Sequence, residues 1–208
     1  MLIRTADNRN YAHLREIRDP IILTSELLGK EKSASDFSKN GFLLGEYPED
    51  EFIIDLSKIF LIAESDSNLL GYIRIDNAID ADFKKFDLQG NINWTDLSYK
   101  NQFYKIPHFE LGAILVDSKE RGKGVGKVLL DYSLAAILSE IPEIQKEATL
   151  FSFIMVEPIE NRASLKFHQK NGFIKVAELK PCELYGFKGY KSILLAKDIK
   201  KSDSQKWK

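Results

Sequence analysis

The feature that most constrains the fold of this 208-residue chain is an apolar segment, Phe109–Val116, followed by a glycine-rich loop and an amphipathic segment. Glu110 is its only charged residue, and such a composition is typical of a strand covered on both faces. After the loop, Val125–Leu138 has apolar residues at helical spacing, and Ala148–Val156 is a second apolar stretch of strand length. A buried strand, a helix and another buried strand in succession predict an α/β fold.

The rest of the chain predicts a single domain around one mixed sheet. Two apolar runs separated by a polar turn predict a hairpin, and two more strands close the chain. We expect one domain over residues 1–200, with insertions around 20–58 and 76–108 and a tail at 201–208. Further strands are predicted at 2–5, 59–64, 69–75, 173–178 and 190–197, and further helices at 48–59 and 161–171.

Charge and composition exclude several classes of protein. The 30 basic and 31 acidic residues leave a net charge of −1, which does not favour nucleic acid or anionic membranes as partners. No apolar run reaches the ~18 residues of a membrane helix, and the first residues turn polar too early for a signal peptide. The single cysteine, Cys182, excludes an internal disulfide, and no metal-ligand spacing is present. We therefore expect a cytoplasmic protein with no metal ion.

The loop Arg121–Lys127 predicts a phosphate site. Its three glycines remove Cβ atoms where a helix begins, so a ligand can approach the backbone closely. The first N–H groups of that helix have no internal partners, and the helix dipole adds partial positive charge. Arg121, Lys123 and Lys127 add full charges, so we expect backbone groups from Gly122 to Lys127 to hold a phosphate or diphosphate. The alternative is a tight turn with basic residues facing solvent.

Two nucleotide-binding motifs fail on spacing in this loop. A P-loop requires serine or threonine after Gly-Lys, but Val128 follows Gly126-Lys127. A dinucleotide motif requires a third glycine at the position that Lys127 occupies. A nucleotide-binding protein is therefore excluded on both patterns.

The loop instead resembles the acyl-CoA loop of the GNAT N-acetyltransferase superfamily, [R/Q]-x-x-G-x-[G/A]. Arg121, Gly124 and Gly126 match its three fixed positions. A later segment resembles the second motif of the family, in which an asparagine, here Asn161, precedes a helix that ends in Gly-Phe. The order of the elements is similar over roughly residues 59–197.

The resemblance implies a mixed sheet with splayed central strands, and acetyl-CoA as co-substrate for acetyl transfer to a primary amine by direct attack. The amine would belong to a small molecule or a peptide, and a homodimer through the closing strands would be consistent with the family. By resemblance, the coenzyme arm would pair with the backbone of one strand and contact one asparagine, and the diphosphate would lie on the loop. The implied cofactor-binding residues are Ile114, Leu115, Val116, Arg121, Gly122, Lys123, Gly124, Val125, Gly126, Lys127 and Asn161.

Acetyl transfer to an amine requires a group that accepts the ammonium proton. Glu110 is the leading candidate for this base, because it is the only charge in an apolar strand and glutamates at this position serve as the base in some family members. The alternative is a glutamate that faces water or pairs with Lys105. Glu157, at the end of the next central strand, is a second candidate.

The sequence departs from the family pattern at the acid. Four residues before Gly-Phe the family usually has a tyrosine that protonates the leaving thiolate, whereas this chain has His168. His168 lies on one helical face with Asn161 and Ser164, so it can point towards the coenzyme and donate a proton. The alternative is that His168 is a structural residue and that Tyr185 or Tyr190 acts as the acid.

The acceptor is the least constrained part of the prediction. Aspartates and aromatic residues are mixed within the 76–108 segment, and such a lining suits a cationic amine such as a polyamine, an aminoglycoside or a peptide N-terminus. A solvated acidic loop is the alternative. A different class of function is a non-catalytic module that senses acyl-CoA or holds a partner on the same fold, and the missing tyrosine favours it.

Overall fold

The computed structural model describes residues 1–28, 31–45, 47–56, 58–76, 87–105, 108–141 and 147–200. Within these residues the chain forms eleven strands. The strands are β1 (Leu2–Thr5), β2 (Ile22–Leu23), β3 (Leu43–Leu44), β4 (Ile59–Ser65), β5 (Asn68–Asp76), β6 (Ile92–Trp94), β7 (His108–Val116), β8 (Glu147–Glu157), β9 (Ile174–Leu179), β10 (Cys182–Leu184) and β11 (Phe187–Lys200).

Seven α-helices lie within the same described ranges. The helices are α1 (Tyr11–Arg18), α2 (Ser25–Leu28), α3 (Glu31–Asn40), α4 (Glu49–Asp55), α5 (Leu97–Lys105), α6 (Val125–Glu140) and α7 (Arg162–Lys170). None of the described helices is both long and apolar enough to cross a membrane.

The main sheet is mixed, as predicted. Its strand order is β1-β4-β5-β7-β8-β11-β9-β6, and β10 pairs with β11 beside it. The pairing of β7 with β8 is parallel, and the other pairings of this sheet are antiparallel. Strands β2 and β3 form a separate parallel pair.

The two central strands, β7 and β8, are paired only at one end. Residues 108–110 of β7 pair with residues 149–151 of β8, and the described pairing stops there. Beyond Glu110, β7 remains paired with β5 and β8 remains paired with β11, so the central strands part. Backbone groups that face such a gap have no strand partner and are available to a ligand. The splayed strands implied by the resemblance are therefore present.

Strand β7 contains a bulge that the sequence analysis did not predict. Its pairing with β5 skips one residue between Leu111 and Ala113, so Gly112 is the extra residue. An extra residue reverses the alternation of side chains along a strand. Leu111 belongs to the core under α6, whereas Glu110 and Ala113 share the opposite face. The bulge therefore places the only charge of this strand on the same face as Ala113 and Leu115.

The core lies on both faces of the sheet. Helix α6 covers one face with fully buried side chains such as Leu129 and Ile137. On the other face, α1 and α4 cover an aromatic cluster built around Phe52, Phe60 and Tyr72. Fully burying a side chain of this size contributes roughly 1.5–3 kcal/mol, so both layers hold the sheet firmly.

The two segments predicted as insertions contain regular elements. Residues 20–58 include α2, α3 and α4. The described part of the 76–108 segment is regular for most of its length, because residues 92–94 form β6 and residues 97–105 form α5. Strand β6 pairs with β9 at the edge of the sheet. The tail predicted at 201–208 lies outside the described residues.

Candidate active site

A cleft of about 1350 Å³ opens where β7 and β8 part. One end, which we call the loop half, is lined by residues from 40–43, from the end of β7, from 120–127 and from α7. The other end, which we call the hairpin half, is lined by side chains of the N-terminal part of the chain, of β5, of the start of β7 and of the closing hairpin. The lining of the hairpin half includes Arg18, Tyr47, Glu51, Tyr72, Arg74, Glu110, Tyr185 and Tyr190.

The loop half has the backbone shape that the sequence predicts for a phosphate site. Gly122 and Gly124 have φ angles of +80° and +90°, a conformation that favours glycine, and a Cβ at either position would meet no atom within 4 Å. Helix α6 begins directly after Gly124 without a side-chain cap. Its first N–H groups therefore face the open loop, where an anion can accept hydrogen bonds from them.

The basic side chains of the loop are already engaged. Lys123 lies 3.0 Å from Glu120 and does not line the cleft, and Lys127 lies 2.5 Å from Asp131. Arg121 donates Nε to the carbonyl of Val116 at 3.2 Å and Nη1 to the carbonyl of Asn40. The loop can therefore offer a phosphate its backbone N–H groups more readily than its charges.

Asn161 forms the opposite wall of the loop half. It is buried, its Oδ1 accepts a hydrogen bond from the N–H of Ser164 at 3.2 Å, and its Nδ2 donates to the carbonyl of Phe42 at 3.0 Å. Gly41 ends α3 with a φ of +83°, and its missing Cβ would lie 3.2 Å from Ala163. Asn161 therefore caps α7 and holds segment 40–44 against it, while its contact with a coenzyme stays a prediction.

Glu110 lies at the vertex of the splay and lines the hairpin half of the cleft. It is partly buried, and its carboxylate is close enough to contribute to the raised pKa values of Tyr185 and Tyr190, for which burial is the main cause. Glu157, the second candidate base, has a 60% exposed side chain 3.8 Å from Lys191 and does not line the cleft. The side chain of Lys105, the alternative partner of Glu110, lies outside the described part of the chain.

His168 lines the cleft but is buried, with 1% of its surface exposed. Its Nδ1 lies 2.7 Å from the carbonyl of Ser164, to which it donates, and its ring packs edge-on against Phe173. Burial lowers the pKa of His168 to about 4, and the hydrogen bond to Ser164 opposes this only in part. His168 is therefore neutral at pH 7 and holds its one ring proton in a bond to the backbone.

Because His168 is neutral in the folded protein, the protein is expected to lose stability as the pH falls. Because the folded pKa lies below the unfolded value of about 6.5, the contribution of His168 is complete above pH 6.5 and is lost as the pH falls towards 4. Between pH 7 and pH 4 this amounts to about 3 kcal/mol. Urea unfolding at several pH values should show a shallower dependence for His168→Gln, whereas His13→Gln, at an exposed position, should follow the wild type. Parallel curves for all three proteins would contradict the assignment.

A cluster of charged and aromatic residues in the hairpin half was not predicted from the sequence. The carboxylate of Asp55 accepts hydrogen bonds from Tyr47 at 2.5 Å and from Arg74 at 2.6 Å, and Lys58 lies 2.8 Å away. The guanidinium of Arg74 lies directly over Gly112, where a Cβ would come within 2.5 Å of Nη2. The one sequence signal for this arrangement was a glycine inside a strand pattern, which indicates a bulge or a close approach.

The acidic lining expected from the 76–108 segment is not found in its described part. Asp87 is buried away from the cleft and accepts hydrogen bonds from Trp94 and Tyr104, and Asp96 caps the start of α5. Asp80 and Asp82 lie outside the described residues. Among the residues that the structure describes, no group of three or more His, Cys, Asp or Glu side chains could hold a metal ion.

Known proteins similar to the chain share this architecture. An N-acetyltransferase from Staphylococcus aureus Mu50 is 17% identical over 96% of this chain and 98% of its own, with a TM-score of 0.58. The yncA protein from Salmonella typhimurium, solved with its cofactor acetyl-CoA, is 14% identical over 97% and 95%, with a TM-score of 0.59. An aminoglycoside 6'-N-acetyltransferase complexed with coenzyme A is 16% identical over 96% and 97%, with a TM-score of 0.56.

At such identities the similarity establishes a shared fold. No protein with a curated description is significantly similar to the chain in sequence. The model of the acetyltransferase (GNAT) family, however, matches residues 28–173, which is more than half of the chain. The matched range contains the splayed strands, the glycine-rich loop and α7. The chain therefore belongs to the GNAT family of acetyltransferases.

Proposed function

We propose that the protein is an N-acetyltransferase that uses acetyl-CoA as co-substrate and a primary amine as acceptor. The observation that carries the proposal is a single cleft that joins an open helix N-terminus at one end to the carboxylate of Glu110 at the other. An anionic coenzyme and a base are needed together for this reaction, and the splay between β7 and β8 connects them. The single domain of residues 1–200, the cytoplasmic location and a homodimer remain predictions.

The loop half fits acetyl-CoA. The α6 N-terminus offers backbone N–H groups to a diphosphate, and Gly122 and Gly124 leave open space beside it. The gap beside Ile114, Leu115 and Val116 suits an extended, amide-rich arm, because the backbone there borders the splay. We infer that these groups hold the coenzyme so that its thioester reaches the vertex near Glu110.

The coenzyme supplies the acetyl group as a thioester, whose carbonyl carbon the amine attacks. Glu110 accepts the proton that the ammonium must lose before its nitrogen can attack, and the new C–N bond forms as the C–S bond breaks. Close placement of the two reactants replaces a bimolecular encounter and lowers the barrier.

For the proton that the departing thiolate takes up, we propose Tyr190. Its ring lines the cleft at 5% exposure, and burial raises its pKa to about 12, so the hydroxyl is protonated at neutral pH. His168 stays a prediction for this role, but a neutral ring whose proton is bonded to Ser164 is poorly suited to it. Tyr185 is the more exposed neighbour of Tyr190, with ring centroids 6.2 Å apart.

The test is coenzyme A release from acetyl-CoA with a panel of primary amines, together with calorimetric binding of acetyl-CoA. We expect micromolar binding and amine-dependent turnover, lowered by Tyr190→Phe and unchanged by His168→Phe at a pH where both variants are folded. A loss of turnover in His168→Phe alone would restore His168 as the acid. Binding without turnover on every amine would favour the second candidate, an acyl-CoA sensor.

A further inference from the structure

We propose that the acceptor carries a carboxylate beside its amine, so that it is a small amino acid or a close analogue, and that Arg18 binds this carboxylate. The inference rests on the proposed function and names the acceptor class for the same cleft. The observation that carries it is that Arg18 is buried in the hairpin half and forms no ion pair with a carboxylate of the described residues.

Arg18 is at the end of α1 and is 6% exposed. Its Nη2 donates to the carbonyl of Gly45 at 3.0 Å, and its guanidinium stacks on the ring of Tyr47 at 4.9 Å. No carboxylate in the described part of the chain lies within ion-pair distance of it. A guanidinium has five N–H donors, and burying its charge without an anion costs free energy. A negative group of a ligand beside Arg18 would remove this cost.

The neighbouring arginine shows the contrast. Arg74 is paired with Asp55 at 2.6 Å and lies 3.5 Å from Asp76, and Lys58 completes the group at 2.8 and 2.7 Å from the same two carboxylates. Two cations and two anions therefore balance within this group. The charge of Arg18 is additional to it.

The hairpin half is lined by groups of both charges, as the two ends of an amino acid require. Arg18 and Arg74 both lie over Tyr47, and both act on the buried hydroxyl of Tyr72. Glu110 lines the same half of the cleft, beside Tyr185 and Tyr190. An ammonium near Glu110 and a carboxylate on Arg18 would each meet the opposite charge. A polyamine or an aminoglycoside would instead bring a further ammonium towards Arg18.

The test compares free α-amino acids with their carboxamides, which keep the amine and side chain and lose only the carboxylate. We expect kcat/KM for the best amino acid to exceed that of its amide by at least about 30-fold, because the amide leaves a buried cation unpaired. Arg18→Gln should raise the KM of the acid by a similar factor, remove the preference over the amide, and leave the KM of acetyl-CoA unchanged. Arg18→Lys should retain part of the preference.

The matched control is Arg15→Gln, at an exposed arginine one turn earlier on α1, which should behave as the wild type. Equal use of acids and amides by the wild type would overturn the inference. So would an Arg18→Gln variant that loses stability and activity equally on both substrates, because that result indicates a structural arginine. A preference restricted to peptides with an acidic side chain would also overturn it, in favour of a protein acceptor.

Equilibrium binding separates this inference from the proposed function. Calorimetry with the coenzyme A complex should detect the amino acid in the wild type and not in Arg18→Gln. If that binding is found but no amine is acetylated, the acetyltransferase proposal fails and carboxylate recognition by Arg18 stands. If amines are acetylated and no carboxylate preference exists, the acetyltransferase proposal stands and carboxylate recognition by Arg18 fails.

Discussion

Replacing Glu110 with glutamine is expected to lower kcat/KM by about 100- to 10,000-fold while leaving the affinity for acetyl-CoA nearly unchanged. Glutamine has the shape of glutamate but cannot accept the ammonium proton at neutral pH. Because Glu110 lies at the vertex of the splay and outside the loop half, the coenzyme contacts should remain. Steady-state kinetics with the best acceptor and calorimetry with acetyl-CoA measure the two quantities separately.

The control for this variant is Glu157→Gln, which changes the candidate glutamate outside the cleft. We expect its kinetics to match the wild type within about twofold, as for a surface substitution. Full activity in Glu110→Gln would remove Glu110 as the base. A loss in Glu157→Gln of the same size would move the base to the end of β8.

Replacing Asp55 with alanine is expected to destabilise the protein by about 3–5 kcal/mol, the usual effect of removing one partner from a buried ion pair. Asp55 is 5% exposed and is bound by Tyr47, Lys58 and Arg74. Burial alone would raise the pKa of Asp55, but the hydrogen bonds of Lys58 and Tyr47 outweigh it and the pKa lies below its usual value. Alanine would leave two cations with only Asp76 as their shared anion. The free energy of unfolding in urea at pH 7 measures the effect.

Asp19→Ala is the matched control, because Asp19 also pairs with an arginine, at 2.8 Å, but at the surface. Exposed pairs of this kind contribute at most about 1 kcal/mol. We expect Asp55→Asn to lie between the two alanine variants, since the amide can keep one hydrogen bond. Equal losses of unfolding free energy in Asp55→Ala and Asp19→Ala would contradict a stabilising role for the buried ion-pair group.

The loop half could be predicted from the sequence because its signals are local. An apolar strand, a glycine-rich loop and an amphipathic helix follow one another within thirty residues, from Phe109 to Leu138. The glycines specify their own backbone conformation, and the N-terminus of a helix creates its own anion site. Strand β7 and helix α6 accordingly lie within two residues of their predicted ends.

The hairpin half could not be predicted because it depends on contacts between distant parts of the chain. Arg18, Asp55 and Arg74 come from three separate elements and meet only after the sheet has formed. The glycine at position 112 indicates a bulge or a close approach, but a pattern of strict alternation does not show which face the following side chains then take. Lys123 stays a prediction for the coenzyme site, and its pairing with Glu120, three residues earlier, is a contact that the loop pattern did not include.

Segment 40–44 connects the two halves of the cleft. In the loop half, Arg121 donates to the carbonyl of Asn40 and Asn161 donates to the carbonyl of Phe42, so both residues fix this segment. The residue that follows the segment, Gly45, accepts a hydrogen bond from Arg18 in the hairpin half. We expect the two proposed ligands to be linked through this segment, because a coenzyme that contacts residues 40–43 would also restrain the carbonyl beside Arg18. By linkage, each ligand would then strengthen the binding of the other by the same factor, and the ternary complex would be favoured over either binary one.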